Sequence, residues 1–275
     1  MKVKEVFDKI EKTFLEAGVD SPAFETSVLM EDLLELPRKP EMVVSEKELD
    51  FEQEEKIFAA AEKRISGYPL QYLIGNWEFF GRKFFVGEGV LIPRPETELL
   101  CETVLKYFSR SLPPKVVDLC SGSGCIAITI AKELSGAEVT AVELYDGAFE
   151  HLERNNAFHG NCVKTVKADA LVPFGKFDCI VSNPPYIDEN EMKELQTEVT
   201  FEPETALFGG RDGLDFYRFI VGEYKRFLSP VGVILLEIGY DQGKPIREIA
   251  ERNGFSCEIK KDLGGNDRVA VIKRK

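Results

Sequence analysis

Lys115-Val116-Val117-Asp118-Leu119-Cys120-Ser121-Gly122-Ser123-Gly124-Cys125 decides the fold. Lys115 to Leu119 reads as a short buried strand, the glycine-rich residues as a turn, and the apolar run Ile126 to Leu134 as a helix. Glycine carries no Cβ, so such a turn reverses sharply and brings backbone against a ligand. Working outward, a second strand, Glu138 to Val142, leads to Glu143, about twenty residues beyond the glycines, where a carboxylate can accept both ribose hydroxyls of a nucleoside. Strands near 163–167, 177–182, 231–238, 255–260 and 268–273 continue the alternation with helices. That order predicts an α/β domain with a mostly parallel sheet and an antiparallel C-terminal hairpin. The glycine loop alone leaves its ligand open, because Gly122-Ser123-Gly124-Cys125-Ile126-Ala127 also satisfies the dinucleotide pattern with alanine last.

Asp118 shifts the balance. A carboxylate at the strand tip repels a pyrophosphate and suits a cationic ligand with an amino group, and S-adenosylmethionine is such a ligand. Downstream, the apolar run Phe177-Asp178-Cys179-Ile180-Val181-Ser182 stops on Asn183-Pro184-Pro185-Tyr186. Two prolines have no N–H for a sheet ladder and hold φ near −65°, so the strand must end there. The carboxamide of Asn183 and the Pro184 carbonyl are two acceptors with no donor between them. Such a pair holds both protons of an –NH2 group while its lone pair faces an electrophile. Asp169, at the tip of the third strand, is placed to accept from an adenine amino group. The expected cofactor site is Asp118, Cys120, Ser121, Gly122, Ser123, Gly124, Glu143, Asp169 and Asn183, and the expected catalytic group is Asn183, Pro184, Pro185 and Tyr186, with Tyr186 packed on the substrate amide plane. Arg94, Thr97 and Glu98 are weaker candidates, since a linker carboxylate and arginine fit an interdomain ion pair equally well.

Together the two motifs resemble the class I S-adenosylmethionine-dependent methyltransferases, and the tetrapeptide marks the branch that methylates amide or exocyclic amine nitrogen. Gly67-Tyr68-Pro69-Leu70-Gln71-Tyr72-Leu73-Ile74-Gly75, Trp77-Glu78-Phe79-Phe80-Gly81, Leu91-Ile92-Pro93-Arg94-Pro95-Glu96-Thr97-Glu98 and Phe201-Glu202-Pro203-Glu204-Thr205-Ala206-Leu207 narrow this. With Gly209-Gly210 and Asp212-Gly213-Leu214, they are similar to the HemK/PrmC family of protein-(glutamine-N5) methyltransferases, from about Gly67 to the C-terminus. The resemblance implies a Rossmann-like fold and transfer of a methyl group from S-adenosylmethionine to the glutamine of the Gly-Gly-Gln loop in class-1 peptide chain release factors. Cys120 departs from the pattern, standing where many relatives have glycine.

Bulk properties agree. Lys and Arg number 35 against 48 Asp and Glu, a net charge of −13. An enzyme of nucleic acid usually shows a basic face, so this balance argues for a protein or small-molecule substrate and against direct nucleic-acid binding. The six cysteines show no CxxC and no pairing pattern. They read as reduced, buried residues of a cytoplasmic protein, neither disulfides nor metal ligands. No apolar run reaches the ~20 residues that cross a bilayer, so no membrane role is expected.

Val3, Val6, Phe7, Ile10 and Phe14 recur at helical spacing up to Gly18. Ser21-Pro22 opens a second helix through Leu34, and Ser45 with Glu48 suggests a capping box for a third. The expected organisation is an N-terminal helical substrate-recognition bundle at 1–75, a β-hairpin linker at 76–93 and a methyltransferase domain at 94–275. Asp188 to Leu214 is too long for an idle connection and reads as a wall of the substrate site, with Glu189, Glu191 and Glu194 either a solvated face or an acidic rim. His151 and His159 are expected on a helix surface without catalytic role. A glutamine methyltransferase of a ribosomal protein and a DNA adenine-N6 methyltransferase are the rival enzymes, and a non-catalytic cofactor-binding module is the remaining alternative.

Overall fold

The computed structural model describes residues 1–109 and 112–275, which divide into two compact units. The first comprises Met1–Asn76 with Gln196–Phe201, and the second Trp77–Leu195 with Glu202–Lys275. Among the described residues no helix is long and apolar enough to cross a membrane.

The first unit is helical: α1 (Val3–Glu16), α2 (Pro22–Leu34), the short α3 (Pro40–Val43), α4 (Phe51–Ile65) and the short α5 (Leu70–Ile74). Val3, Val6, Phe7, Ile10 and Phe14 form one buried stripe of α1, at the spacing their sequence predicts. Ser21 stands at the N-cap of α2 but makes no side-chain cap bond. The capping box of the third long helix is Asp50 with Gln53, in place of the expected Ser45 with Glu48. The reason is tertiary: the Ser45 and Lys47 carbonyls accept the Lys4 and Val3 N–H groups at the start of α1, so this segment caps a different helix. Arg64 of α4 is buried between Glu25 of α2 and Glu198. Glu198 comes from the 196–201 segment of the long loop.

A hairpin follows, β1 (Asn76–Phe79) and β2 (Arg82–Phe85), and the second unit begins within it at Trp77. Phe80 and Gly81 both have positive φ, 52° and 67°, the requirement of a tight two-residue hairpin turn. Phe79 and Phe84 are fully buried in the core of this unit, so Trp77–Phe85 is part of it. There follow α6 (Glu98–Phe108), β3 (Lys115–Leu119), α7 (Cys125–Glu133), β4 (Glu138–Glu143), α8 (Asp146–Phe158), β5 (Lys164–Lys167), β6 (Phe177–Ser182), α9 (Asp215–Glu223), β7 (Leu228–Glu237), α10 (Gly243–Arg252), β8 (Phe255–Lys261) and β9 (Asp267–Arg274).

Apart from the β1-β2 hairpin, the strands form one seven-stranded sheet in the order β5-β4-β3-β6-β7-β9-β8. Only β9 runs antiparallel to its neighbours β7 and β8. Val116, Val233 and Leu235 pack with α6, α7 and α8 on one face, while Val117, Ile234 and Leu236 pack with α9 and α10 on the other. Both faces are covered, which is why the central strands are continuous apolar runs. Strand order reverses between β3 and β6, the place where open α/β sheets bind ligands. Leu119 and Ser182 are register partners there, and the Ser182 hydroxyl donates to the Leu119 carbonyl at 2.6 Å. The glycine loop and Asn183 therefore leave the sheet side by side.

Candidate active site

At that edge a cavity of about 210 Å3 opens. Its walls include Cys120–Ser123, Glu143, Asp169, Asn183 and Pro185, with Arg94, Thr97 and Phe216. The loop is fixed from several sides. Ser121 accepts the Val142 N–H on its hydroxyl and donates that hydroxyl's proton to the Asp118 carbonyl. Asn155 of α8 donates to the carbonyls of Ser123 and Phe85 and accepts the Phe85 N–H, tying the loop to the hairpin. Asn155 was not singled out from the sequence, because nothing local marks an asparagine in mid-helix as a bridge.

Gly124 has φ of +81°, and a Cβ there would meet Leu152 Cδ1 at 2.5 Å, so close helix packing demands glycine. Cys120 has φ of 57°, the left-handed region that favours glycine. Its departure from the pattern leaves the backbone shape intact and places a thiol in the wall, pushed well above the usual thiol range by burial and by nearby Glu143.

Glu143 is buried, yet its carboxylate is held by three backbone N–H groups: Gly122 on Oε2, and Leu144 and Tyr145 on Oε1. Asp169 accepts the Leu171 N–H at 2.8 Å and lines the cavity. Asp118 does not. Val117 and Leu119 fill the opposite face, so strand alternation turns Asp118 to the face under α6 and α7, beside the thiols of Cys101, Cys125 and Cys179. Both of its carboxylate oxygens are buried without a hydrogen-bond partner. Burial pushes its acid up to about 7, against the pull of the nearby Ser121 hydroxyl and Ala127 N–H.

Of the tetrapeptide, Asn183 and Pro185 line the cavity, whereas Pro184 is buried and Tyr186 is partly packed into the core under α9 and α10. The Asn183 Nδ2 donates to Thr97 Oγ1 at 3.4 Å. The Tyr186 hydroxyl is pushed up to about 12 by burial and by Glu237, so it stays neutral. The Tyr186 carbonyl accepts from Gln242 Nε2 at 2.9 Å. Behind it lies Gly209-Gly210-Arg211-Asp212-Gly213. A Cβ on Gly209 would stand 2.6 Å from Tyr186 Cα and 2.7 Å from the Pro185 oxygen, so backbone packs directly on backbone. Pro203, Thr205 and Ala206, from the long segment after the tetrapeptide, also line the cavity.

Arg94 is neutralised by an ion pair with Glu202, which is itself buried and also accepts the Ile92 N–H. Glu98 takes the Phe80 N–H, outside the cavity. Arg94 and Glu98 both find these partners inside the second unit. His151 corrects a sequence expectation: it is half-buried with its ring against Gly87, its Nδ1 buried without a partner, and its basicity lowered by burial. His159 bonds the Lys83 carbonyl and packs on Phe84, again against the hairpin.

The cavity thus presents carboxylates at Glu143 and Asp169, a third, Asp118, beneath the loop, and one cation already paired. That lining repels a pyrophosphate and accepts a sulfonium with an amino group. The donor set fits S-adenosylmethionine and not a dinucleotide.

Comparison with known proteins agrees. The PrmC N-terminal domain matches residues 5–75 and the methyltransferase small domain matches residues 95–207. A release factor glutamine methyltransferase of Thermodesulfovibrio yellowstonii is 39% identical over 86% of this chain and 87% of its own length. One from Koribacter versatilis is 38% identical over 100% of this chain and 99% of its own. In fold, the chain is similar to a methyltransferase from Pyrococcus furiosus, with TM-score 0.55, 22% identity, and 81% and 97% of the two chains covered. At this level of identity to full-length relatives, the chain belongs to the release factor glutamine methyltransferase family.

Proposed function

We propose that the enzyme methylates the side-chain N5 of the glutamine in the Gly-Gly-Gln motif of class-1 peptide chain release factors, using S-adenosylmethionine. The observation that supports this reading is the pairing of Leu119 with Ser182, after which Asn183 lines the same cavity as the glycine loop, with Pro184 buried next to it. Bound there, S-adenosylmethionine supplies an electrophilic methyl group on a sulfonium. Glu143 and Asp169 would hold its ribose and adenine, and Asp118 would act from beneath through its charge. An amide nitrogen is a poor nucleophile, because its lone pair is delocalised into the carbonyl. Asn183 Oδ1 and the Pro184 carbonyl, accepting one N–H each, favour a pyramidal nitrogen and disperse the positive charge it gains. Tyr186 serves by position, its backbone clamped by Gln242 and Gly209. No general base is required, since the methylated nitrogen is acidic enough to release its proton afterwards.

A glutamine between glycines offers few atoms to recognise, so discrimination must draw on surface remote from the reacting group. The helical unit, including its 196–201 segment, is the surface we assign to that task. Methyl transfer with labelled cofactor to an intact release factor, a Gly-Gly-Gln peptide, ribosomal proteins and duplex DNA tests the whole reading, with mass spectrometry locating the methyl group. The expected product is N5-methylglutamine in the intact factor, formed far faster than in the peptide. Transfer only to a ribosomal protein or to DNA would overturn it. A chain starting at Trp77 keeps the hairpin and should lose the preference for folded factor over peptide; an unchanged ratio of kcat/KM values would remove the bundle from recognition.

A further inference from the structure

Asn183 has a two-faced side chain. A carboxamide rotated by half a turn presents its –NH2 where its oxygen was, and an –NH2 facing the substrate –NH2 would oppose binding of the reactive geometry. Something must hold the rotation. Asn183 Nδ2 donates to Thr97 Oγ1, and Thr97, only 2% exposed, sits in the turn Pro95–Thr97 that opens α6. A threonine hydroxyl has one proton. It serves Asn183 purely as an acceptor when that proton goes elsewhere, and the Glu237 carboxyl, whose acidity the Thr97 side chain strengthens, is the group near enough to draw it. Ser182 and Leu236 are register partners, so Asn183 and Glu237 follow at the next positions of adjacent strands. Glu237 ends β7, the strand beside β6, is 1% exposed and keeps one oxygen, Oε2, without a partner. A buried, incompletely partnered carboxyl is costly, and nothing in the cofactor site uses it.

We propose that Thr97 and Glu237 are positioning residues for methyl transfer: Glu237 takes the Thr97 proton, Thr97 Oγ1 takes the Asn183 Nδ2 proton, and Asn183 Oδ1 is thereby turned toward the substrate amide. This deepens the reading above and rests on Asn183 as the amide acceptor. Reversal of the relay has a definite trigger. A protonated Glu237 donates to Thr97, Thr97 can then donate to Asn183 Oδ1, and the carboxamide turns the wrong way. Burial pushes the Glu237 acid up to about 7; the Thr97 hydroxyl, Arg268 of β9 and Arg94 pull it down, and Glu96 pushes it up. The other titratable groups that feel this charge are the phenols of Tyr186 and Tyr217 and the thiols of Cys101 and Cys125, all held neutral at pH 7 by burial.

The test is single-turnover methyl transfer at saturating cofactor, with cofactor affinity measured by calorimetry. Thr97→Val should slow transfer by about 10- to 100-fold, the range for a lost positioning hydrogen bond, with cofactor affinity within about threefold of native. Thr97→Ser, which keeps the hydroxyl, should recover most of the rate. The native rate should fall as pH drops below about 7, and Glu237→Gln should slow transfer and abolish that fall. In an Asn183→Ala background, Thr97→Val should cost less than about twofold, because the group being positioned is gone. Independent losses in that double variant, or a Thr97→Ser variant as slow as Thr97→Val, would make Thr97 a packing residue and overturn the relay. Native rate in Asn183→Ala alone would instead overturn the acceptor role of Asn183. A slow Asn183→Ala with a native-rate Thr97→Val would sink the relay and leave that role standing.

Discussion

Glu143 shows how one residue serves both loop and ligand. A carboxylate has about four lone-pair sites, and three of those on Glu143 already accept the N–H groups of Gly122, Leu144 and Tyr145. One site remains for a ribose hydroxyl, one fewer than the two-hydroxyl contact expected from the sequence. Glu143→Ala therefore removes one ligand bond and the anchor of the glycine loop, and S-adenosylmethionine affinity should fall by about 2–4 kcal/mol. Glu143→Gln should do little better, since its –NH2 would face a backbone N–H on one side or the other. Calorimetric titration checks both, and unchanged affinity in Glu143→Ala would take it out of the cofactor site. The sequence shows that a carboxylate ends this strand. Leu144 and Tyr145 are its next neighbours in the chain, whereas the Gly122 partner, 21 residues away, becomes visible only once β3 and β4 are paired.

At the scale of elements, the 209–213 turn and the tetrapeptide behave as one piece. Gly209→Ala would drive a Cβ into the Tyr186 and Pro185 backbone. Neither neighbour is a flexible side chain, so the tetrapeptide must shift. We expect a loss of about 2–4 kcal/mol in stability and at least tenfold in kcat, with cofactor affinity little changed. Thermal melts and initial rates measure this, and a native kcat would dissociate the turn from catalysis. In the helical unit, Arg64 is the corresponding joint. Arg64→Met strands Glu25, a buried carboxylate, and should cost about 3–5 kcal/mol in urea unfolding. Glu198→Ala removes the half-exposed partner and should cost under about 1 kcal/mol. Equal losses would mean that Arg64 serves the 196–201 segment as much as α2.

Across the whole molecule, two nearly inaccessible carboxyls govern the response to pH. Asp118 and Glu237 are raised to about 7, whereas in the unfolded chain they titrate near their usual 3.8 and 4.5. Between those values the folded state binds protons that the unfolded state releases. Their favourable contribution is thus complete below the unfolded values and lost as pH rises through about 7. From about pH 5.5 to pH 8 each should remove of order 2 kcal/mol of unfolding free energy. Urea unfolding at the two pH values tests it. Asp118→Asn and Glu237→Gln should each flatten the profile by about half, and a native profile that rises with pH would refute both assignments.

Sequence alone determined the order and type of nearly all the sheet strands, because the central ones are buried apolar runs closed by glycine, proline or a charged turn. It also determined the two ligand-facing motifs, since Gly122, Gly124 and the Pro184-Pro185 pair constrain backbone in any context. The start of α4 escaped it, because Ser45 and Asp50 carry similar local signals and only the carbonyl contacts to α1 choose between them. Asp118 escaped it too: its place in the motif is plain, but which face of β3 it occupies follows from packing on both sides of the sheet. Asn155, Thr97 and Glu237 take their meaning from residues 32 to 140 positions away, and no local pattern encodes such a contact. The local backbone chemistry of each motif was legible, while the hydrogen bonds that aim the side chains were set by tertiary structure, because they join atoms brought together only when the sheet closes.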